Sequence, residues 1–233
     1  MVLPDERDHP AWPRGGGRRW QRVGTAVVVA AVVALAGCGC RDAGLAGCRL
    51  PADATVLAIG DSLTRGHGAA GAGYPEQLQA LLRDAPGRAR VRVVNLGLDG
   101  ERSAGLLARL DAALAEHQPA VVLITSGGND FLRRVHADET RRHLRAVVGR
   151  VREHGAFAIV FAIPQPSLGA AFGLPDEHPL FDELADEPGV HVIDDVVADV
   201  LARDEMKSDR IHPNREGYAR MARSAFDALQ RCR

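Results

Sequence analysis

The chain has 233 residues, of which 46% are hydrophobic, 25% charged and only 4% aromatic, and its formal net charge at pH 7 is −1. This length and composition predict one domain with a core built from Ala, Val, Leu and Ile side chains. They exclude the strongly basic surface of a nucleic-acid-binding protein, because arginine pairs such as Arg133-Arg134 are interspersed with acids and indicate solvated helix faces.

The first segment is typical of an export signal. Arg14, Arg18, Arg19 and Arg22 precede an apolar run from Val23 to Ala36. About fourteen apolar residues are too few to span a bilayer, which needs roughly twenty. A buried core helix is the alternative, but the run has no polar face. We therefore expect residues 1–37 to be a signal peptide.

The apolar run ends in Leu35-Ala36-Gly37-Cys38. This sequence resembles the lipobox of bacterial lipoproteins, in which the cysteine becomes the lipidated first residue. Ordinary cleavage nearby is the alternative. We expect Cys38 to carry lipid, residues 38–53 to form a tether, and the protein to lie in the bacterial cell envelope or periplasm, in contact with a membrane through this anchor.

Three further cysteines, Cys40, Cys48 and Cys232, would then lie in an oxidising compartment. Cys48 comes just before the first predicted strand, and Cys232 lies at the end of the last predicted helix. We expect a disulfide between these two residues. The cysteine spacings fit no metal site.

From Thr55 onward, short apolar runs alternate with segments of helical periodicity. The predicted strands are Val56–Ile59, Val91–Leu96, Ala120–Thr125, Ala156–Ile163 and Val190–Ile193. The predicted helices are Tyr74–Ala85, Ser103–His117, Ala137–His154, Pro179–Glu187, Val196–Arg203 and Asn214–Arg231. This alternation predicts an α/β fold over residues 54–233, a three-layer α/β/α sandwich around a five-stranded parallel sheet.

Ligands of such sheets bind beyond the carboxyl ends of the strands, so the residues that follow each strand are the candidates for chemistry. Ser62 follows the first predicted strand in the sequence GDSLTRG. One interpretation is a helix cap, since serine often accepts the first free amides of a helix. The other is a nucleophile, which needs a base, a group that orients the base, and donors for an oxyanion.

His212 and Asp209 are the candidates for the base and its orienting group. They lie three residues apart in SDRIHP, so one tight turn could place the carboxylate against an imidazole nitrogen. This spacing alone is weak evidence, because an acid and a histidine also meet in turns by chance. A metal cluster of Asp194, Asp195, Asp209 and His212 is disfavoured, since Asp194 and Asp195 would point to opposite sides if extended.

Asn129 and Gly100 are the candidate oxyanion donors. Asn129 follows two glycines after the third strand, where its amide could donate, although Gly-Gly-Asn-Asp is also a good turn sequence. Gly100 is expected to open the helix that follows, which would leave its backbone amide free.

Four blocks in this order, GDSLTRG, NLGLDGERSAG, GGND and SDRIHP, resemble those of the SGNH hydrolases, the GDSL esterase and lipase family. The resemblance spans about Thr55 to Arg231. It is most similar to the bacterial branch of acyl-thioesterases, lysophospholipases and arylesterases. The G-x-S-x-G elbow of α/β-hydrolases is absent around Ser62, as the resemblance implies.

The resemblance implies a flavodoxin-like SGNH fold and a role for each block. Ser62 would be the nucleophile, His212 the general base and then acid, and Asp209 the residue that orients His212. The amides of Ser62 and Gly100 and the side chain of Asn129 would form the oxyanion hole. No metal or organic cofactor is implied, and the loop at 164–181 would help to shape the acyl site.

The expected function is hydrolysis of a small acyl ester, thioester or lysophospholipid through an acyl-serine intermediate. One alternative is an O-deacetylase of cell-envelope carbohydrates, which needs the same triad. A second alternative is a non-catalytic lipoprotein that binds lipid on a decayed hydrolase fold.

Overall fold

Five short strands form one parallel sheet in the computed structural model, which describes residues 45–165 and 177–233. The strands are β1 (Thr55–Gly60), β2 (Arg92–Gly97), β3 (Val121–Thr125), β4 (Phe157–Phe161) and β5 (Val190–Ile193). Their spatial order is β2-β1-β3-β4-β5, with every neighbouring pair parallel. The predicted α/β fold with a five-stranded parallel sheet is confirmed.

The helices connect the strands and cover the sheet. They are α1 (Ser62–Arg65), α2 (Tyr74–Asp84), α3 (Ser103–His117), α4 (Gly128–Leu132), α5 (Ala137–Glu153), α6 (Leu180–Ala185), α7 (Val196–Leu201) and α8 (Arg215–Arg231). A 3₁₀ turn spans Asp204–Met206. Helix α2 packs against α8, and α3 packs against α5. These two helix layers explain why β1, β3, β4 and β5 are buried along their whole length.

The predicted elements all occur, with ends shifted by up to two residues. Helices α1 and α4 and the 3₁₀ turn were not predicted, because segments of three to five residues are too short to show a helical period. Both short helices begin within three residues of a strand end, and they carry Ser62 and Asn129.

The backbone approaches unusually closely at the carboxyl end of β1. Gly60 has φ 154°, and a Cβ there would lie 2.1 Å from the Thr125 carbonyl oxygen of β3. A Cβ on Gly97, the last residue of β2, would lie 2.1 Å from the Arg65 amide nitrogen of α1. Only glycine fits at both positions, so α1 can lie directly against the ends of β2 and β3.

The segment 45–53 differs from the expected tether. Leu45, Cys48 and Leu50 are buried against the domain, at 7%, 3% and 3% exposure. The Leu50 amide donates to the Arg233 carbonyl at 3.3 Å, and the Arg233 amide donates to the Cys48 carbonyl at 3.1 Å. The domain therefore begins before residue 54, because apolar side chains at 45 and 50 have a surface to cover.

A disulfide joins Cys48 to Cys232, with their Cα atoms 4.8 Å apart. It closes a loop of 184 residues, which in the chain-entropy account contributes about 5 kcal/mol by restricting the unfolded chain. The two ends of the domain are thus held together covalently.

The expected signal peptide (1–37), Cys38, Cys40 and residues 166–176 of the loop after β4 lie outside the described residues. Within 45–165 and 177–233, none of the helices combines the length and the hydrophobicity that crossing a membrane requires.

Candidate active site

The candidate residues meet where the strand order reverses. The chain runs from β1 outward to β2 and then returns to β3 on the other side of β1. Ser62 follows β1, Gly100 follows β2 and Asn129 follows β3, so the three segments lie at the carboxyl edge of three adjacent strands. This edge is where open α/β sheets bind their ligands.

Ser62 is the first residue of α1 and does not cap it. The cap is Asp61, whose carboxylate accepts a 3.0 Å hydrogen bond from the Leu63 amide. The helix-cap interpretation of Ser62 is therefore wrong, and its hydroxyl is free for another partner.

That partner is His212, which lies 150 residues further along the chain. His212 Nε2 is 2.9 Å from Ser62 Oγ. On the other side of the ring, His212 Nδ1 is 2.8 Å from Asp209 Oδ2. With a proton on Nδ1 donated to the carboxylate, Nε2 carries the lone pair that accepts the Ser62 hydroxyl. The three predicted residues thus form one continuous chain of hydrogen bonds.

Asp209 is held in a tight turn. Its Oδ1 accepts the amides of Ile211 and His212, both at 2.9 Å. Burial alone would raise the pKa of the Asp209 carboxyl, but the hydrogen bonds from Ile211 and His212, together with the charge of His212, hold this pKa below its ordinary value. The carboxylate is therefore ionised near neutral pH and fixes the orientation of the imidazole.

The three candidate oxyanion donors donate no hydrogen bond within the part of the chain that the structure describes. Neither the Ser62 amide nor the Gly100 amide donates to a backbone carbonyl there, and the Asn129 side chain makes no hydrogen bond. Gly100 differs from expectation: α3 begins at Ser103, and Gly100 lies in the preceding turn at φ 74°. Asn129 is the second residue of α4, so it is not a turn residue.

A buried carboxylate joins the segments that carry Gly100 and Asn129. Asp130 accepts the Ser103 amide at 2.9 Å and the Ser103 hydroxyl at 2.6 Å, and both residues are essentially inaccessible to water. Because the single Ser103 hydroxyl proton goes to Asp130, His143 Nδ1 must donate to Ser103 Oγ at 3.0 Å. The start of α3 is thereby fixed against α4.

A second acid, Glu101, holds the Gly100 turn to the sheet. Arg109 Nε and Nη2 each donate to the Glu101 carboxylate at 2.6 Å. Nη2 also donates to the Leu96 carbonyl of β2 at 2.7 Å. The bidentate geometry fixes the residue after Gly100 relative to the end of β2.

The segment that carries Ser62 rests on a third buried group. Asp61 is 3% exposed, and it accepts the Thr125 hydroxyl of β3 at 3.2 Å. Thr125 Oγ1 lies 2.6 Å from Thr64 Oγ1, which is 3.3 Å from the Tyr74 hydroxyl. This network lies beneath α1 and links it to β3 and α2.

Comparison with known proteins decides the family. Residues 58–220 match the sequence pattern of the GDSL-like lipase/acylhydrolase family. The chain belongs to this family. The thioesterase 1/protease 1/lysophospholipase L1 of Escherichia coli K12 is 34% identical over 175 residues, which cover 72% of this chain and 79% of that protein. The GDSL chain is accordingly a serine ester hydrolase.

Two further GDSL relatives extend the comparison. The arylesterase of Vibrio mimicus is 28% identical over 169 residues, which cover 69% of this chain and 80% of that protein. The crystal structure of the psychrotrophic esterase EstA from Pseudoalteromonas sp. superimposes with a TM-score of 0.66 at 25% identity, covering 76% of this chain and 97% of that one.

Sequence reasoning missed the residues that hold this site together: Asp61, Glu101, Ser103, Arg109, Asp130 and Tyr218. Asp61, Glu101 and Asp130 each directly adjoin a predicted site residue. An acid beside a catalytic candidate at a strand end was the available signal. Tyr218 gave none, because its contact with the His67 carbonyl at 3.0 Å joins residues 151 positions apart.

Asp61 makes stability depend on pH. Burial raises the pKa of its carboxyl from 3.8 to about 7, although the Leu63 amide and the Thr125 hydroxyl oppose the shift. Between pH 4 and pH 7 the folded state therefore holds a proton that the unfolded state has lost, so stability falls as pH rises. At about 1.4 kcal/mol per pKa unit, the loss approaches 4 kcal/mol at most.

We predict that Asp61→Asn removes this loss while the amide oxygen still caps α1. Chemical denaturation at pH 4.5 and 7.5 measures the change in the free energy of unfolding. Subtracting the change measured for the variant from that of the wild type separates the effect of Asp61 from that of Glu177. Burial also raises the pKa of the Glu177 carboxyl to about 7. Asp227→Asn, on the exposed side of α8, should keep the wild-type pH profile. Parallel profiles for Asp61→Asn and wild type would contradict the prediction.

Proposed function

We propose that Ser62, His212 and Asp209 are the catalytic triad of this hydrolase. The observation that supports the assignment is the hydrogen-bonded chain from Ser62 Oγ through His212 to Asp209, with steps of 2.9 and 2.8 Å. A serine hydroxyl at its ordinary pKa is a weak nucleophile, and an adjacent neutral imidazole that can take its proton activates it.

The reaction would proceed in two halves. Ser62 Oγ attacks the acyl carbon while its proton moves to His212 Nε2, and the bond to the leaving group breaks as the alcohol or thiol takes that proton. Water then attacks the acyl-serine carbon, His212 again takes a proton, and the acid leaves as the proton returns to Ser62. Asp209 stays ionised and stabilises the imidazolium in both halves.

The amides of Ser62 and Gly100 and the Asn129 side chain would bind the oxyanion. Two observations support this assignment. The three donors have no competing acceptor among the described residues. Asp130 and Glu101 also fix the segments that carry Asn129 and Gly100. Donors that are already oriented stabilise the developing charge without reorganisation.

Ser62→Ala should lower kcat by several orders of magnitude, because the nucleophile is gone.

Asn129→Ala should lower kcat by about 10²–10³ with KM within a few-fold, since its donor acts mainly in the transition state. Ser224→Ala, on α8, is the matched control and should hydrolyse p-nitrophenyl butyrate at the wild-type rate. A fully active Ser62→Ala or Asn129→Ala variant would refute the corresponding role.

We propose a medium or long acyl chain as the substrate group, in an ester, thioester or lysophospholipid. In the ranges 45–165 and 177–233 the exposed large hydrophobic side chains are Leu98, Leu132 and Ile211. Each lies within three residues of a candidate catalytic or oxyanion residue. Exposed apolar side chains on the segments that carry the candidate catalytic groups suit an acyl chain better than an acetyl group.

Leu132→Ser should therefore reduce the ratio of kcat/KM for p-nitrophenyl octanoate to that for the acetate by about tenfold, because burial of about two methylenes is lost from the longer chain. Ala112→Ser, on the exposed face of α3, should leave the ratio unchanged. A wild-type enzyme that prefers acetate would favour the carbohydrate O-deacetylase instead.

We also propose that residues 1–37 export the protein and that Cys38 anchors it by lipid. The arginine-led apolar run and the LAGC sequence support this, and so does the Cys48–Cys232 disulfide, which suits an oxidising compartment. Cys38→Ala should move the protein from the membrane fraction to the soluble fraction. Cys40→Ala, two residues away, should leave it membrane-bound, and an unchanged Cys38→Ala fractionation would exclude the anchor.

A further inference from the structure

Beside the triad lies a third ligating side chain that the proposed reaction does not use. One possible ligand atom from each of His67, Asp209 and His212 lies within 4.8 Å of the other two. Among the described residues, these three form the group of side chains that could hold a metal ion. The His67 and His212 rings are 4.4 Å apart between centroids and tilted by 36°. Asp194 and Asp195, considered with Asp209 on sequence grounds, do not belong to it.

The backbone of His67 is fixed, while its side chain is half exposed. Its amide donates to the Ser62 carbonyl at 3.0 Å, and its carbonyl accepts the Tyr218 hydroxyl at 3.0 Å. The imidazole itself is 50% exposed, and its nearest charged neighbour is Asp99, 3.8 Å from Nδ1. The ring can therefore turn toward His212 and Asp209 without moving the chain.

We propose that His67, Asp209 and His212 bind a divalent transition-metal ion of the Zn²⁺ class, and that this ion inhibits the enzyme. Two imidazole nitrogens and a carboxylate oxygen form a donor set that zinc prefers, with solvent as a fourth ligand. Ligands of a tetrahedral zinc at about 2.1 Å from the metal lie roughly 3.4 Å apart. The half-exposed His67 side chain can close the remaining gap by rotation, while the Ile211 and His212 amides hold Asp209 in place.

Inhibition follows from the chemistry of His212, and this part of the proposal rests on the proposed function. A neutral imidazole has one lone pair. A metal on Nε2 would occupy the lone pair that accepts the Ser62 proton. A metal on Nδ1 would displace the Asp209 hydrogen bond and force the imidazole proton onto Nε2. In either arrangement His212 can no longer act as a base toward Ser62.

The donor set also predicts which ions act. Mg²⁺ and Ca²⁺ prefer six or more oxygen ligands, so one carboxylate and two imidazoles suit them poorly. Zn²⁺ and Cu²⁺ should therefore inhibit at concentrations at which Mg²⁺ and Ca²⁺ have no effect.

Isothermal titration with Zn²⁺ tests the site without relying on hydrolysis. The full-length protein and Ser62→Ala, after removal of metal with EDTA, should each bind one zinc ion that His67→Ala binds at least tenfold more weakly. His154→Ala, which removes an exposed imidazole at the end of α5, should bind like wild type. Equal affinity in His67→Ala and wild type would overturn the site.

Kinetics then test the consequence. For each protein, the hydrolysis rate is measured as Zn²⁺ is raised from zero in metal-free buffer. The Zn²⁺ concentration that halves the rate should be the same for wild type and His154→Ala and at least tenfold higher for His67→Ala. A zinc-saturated wild type that hydrolyses at its EDTA rate would overturn the inhibition. A wild type inactive even in EDTA would instead count against the proposed function, while the titration would still decide the metal site.

Discussion

The close approach of the backbone at the end of β1 governs the position of the serine. A Cβ on Gly60 would lie only 2.1 Å from the Thr125 carbonyl oxygen, and a Cβ on Gly97 would lie 2.1 Å from the Arg65 amide nitrogen. A side chain at either position would push α1 away from the sheet and move Ser62 relative to His212. The hydroxyl reaches the imidazole at 2.9 Å only because α1 begins immediately after the strand and lies against its neighbours.

Buried acids hold the remaining parts of the site in place. Asp61 caps α1, Asp130 caps the start of α3 from α4, and Glu101 binds Arg109 beside the Gly100 turn. Each acid is buried among directed donors, because an unpaired buried carboxylate would cost several kcal/mol. The raised pKa of Asp61 shows that the compensation is incomplete there. Rigid placement of the segments that carry Ser62, Gly100 and Asn129 thus comes with lower stability near neutral pH.

The sequence predicted the features whose pattern lies within one helix or strand, and it missed those that depend on contacts between distant residues. Apolar runs and helical periods located all five strands and the longer helices, since each pattern is complete within one element. Ser62, His212 and Asp209 could be proposed from their blocks, whereas their contact joins residues 150 apart and needed coordinates. The roles of Asp130 and Arg109 were hidden because their partners lie in other elements. The segment 45–53 was mistaken for a tether, because its few apolar residues have no periodicity. The contacts that hold it, the Leu50 amide to the Arg233 carbonyl and the Cys48–Cys232 disulfide, are with the distant carboxyl terminus.

His67 takes no part in the proposed reaction, but the zinc ion that we propose it binds would control that reaction. His67 follows α1, and its carbonyl accepts a hydrogen bond from Tyr218 of α8, the helix that follows His212. The same packing that brings His212 to Ser62 therefore also brings a second imidazole to His212.

Covalent labelling shows whether the Ser62 hydroxyl is activated. A fluorophosphonate reacts with a serine whose hydroxyl is deprotonated by a neighbouring base, and peptide mass spectrometry locates the adduct. We expect one adduct, on Ser62, at pH 8 in metal-free buffer, and none in a folded His212→Ala variant. An adduct on another serine, such as Ser126 or Ser208, or no adduct on well-folded wild-type protein, would contradict it.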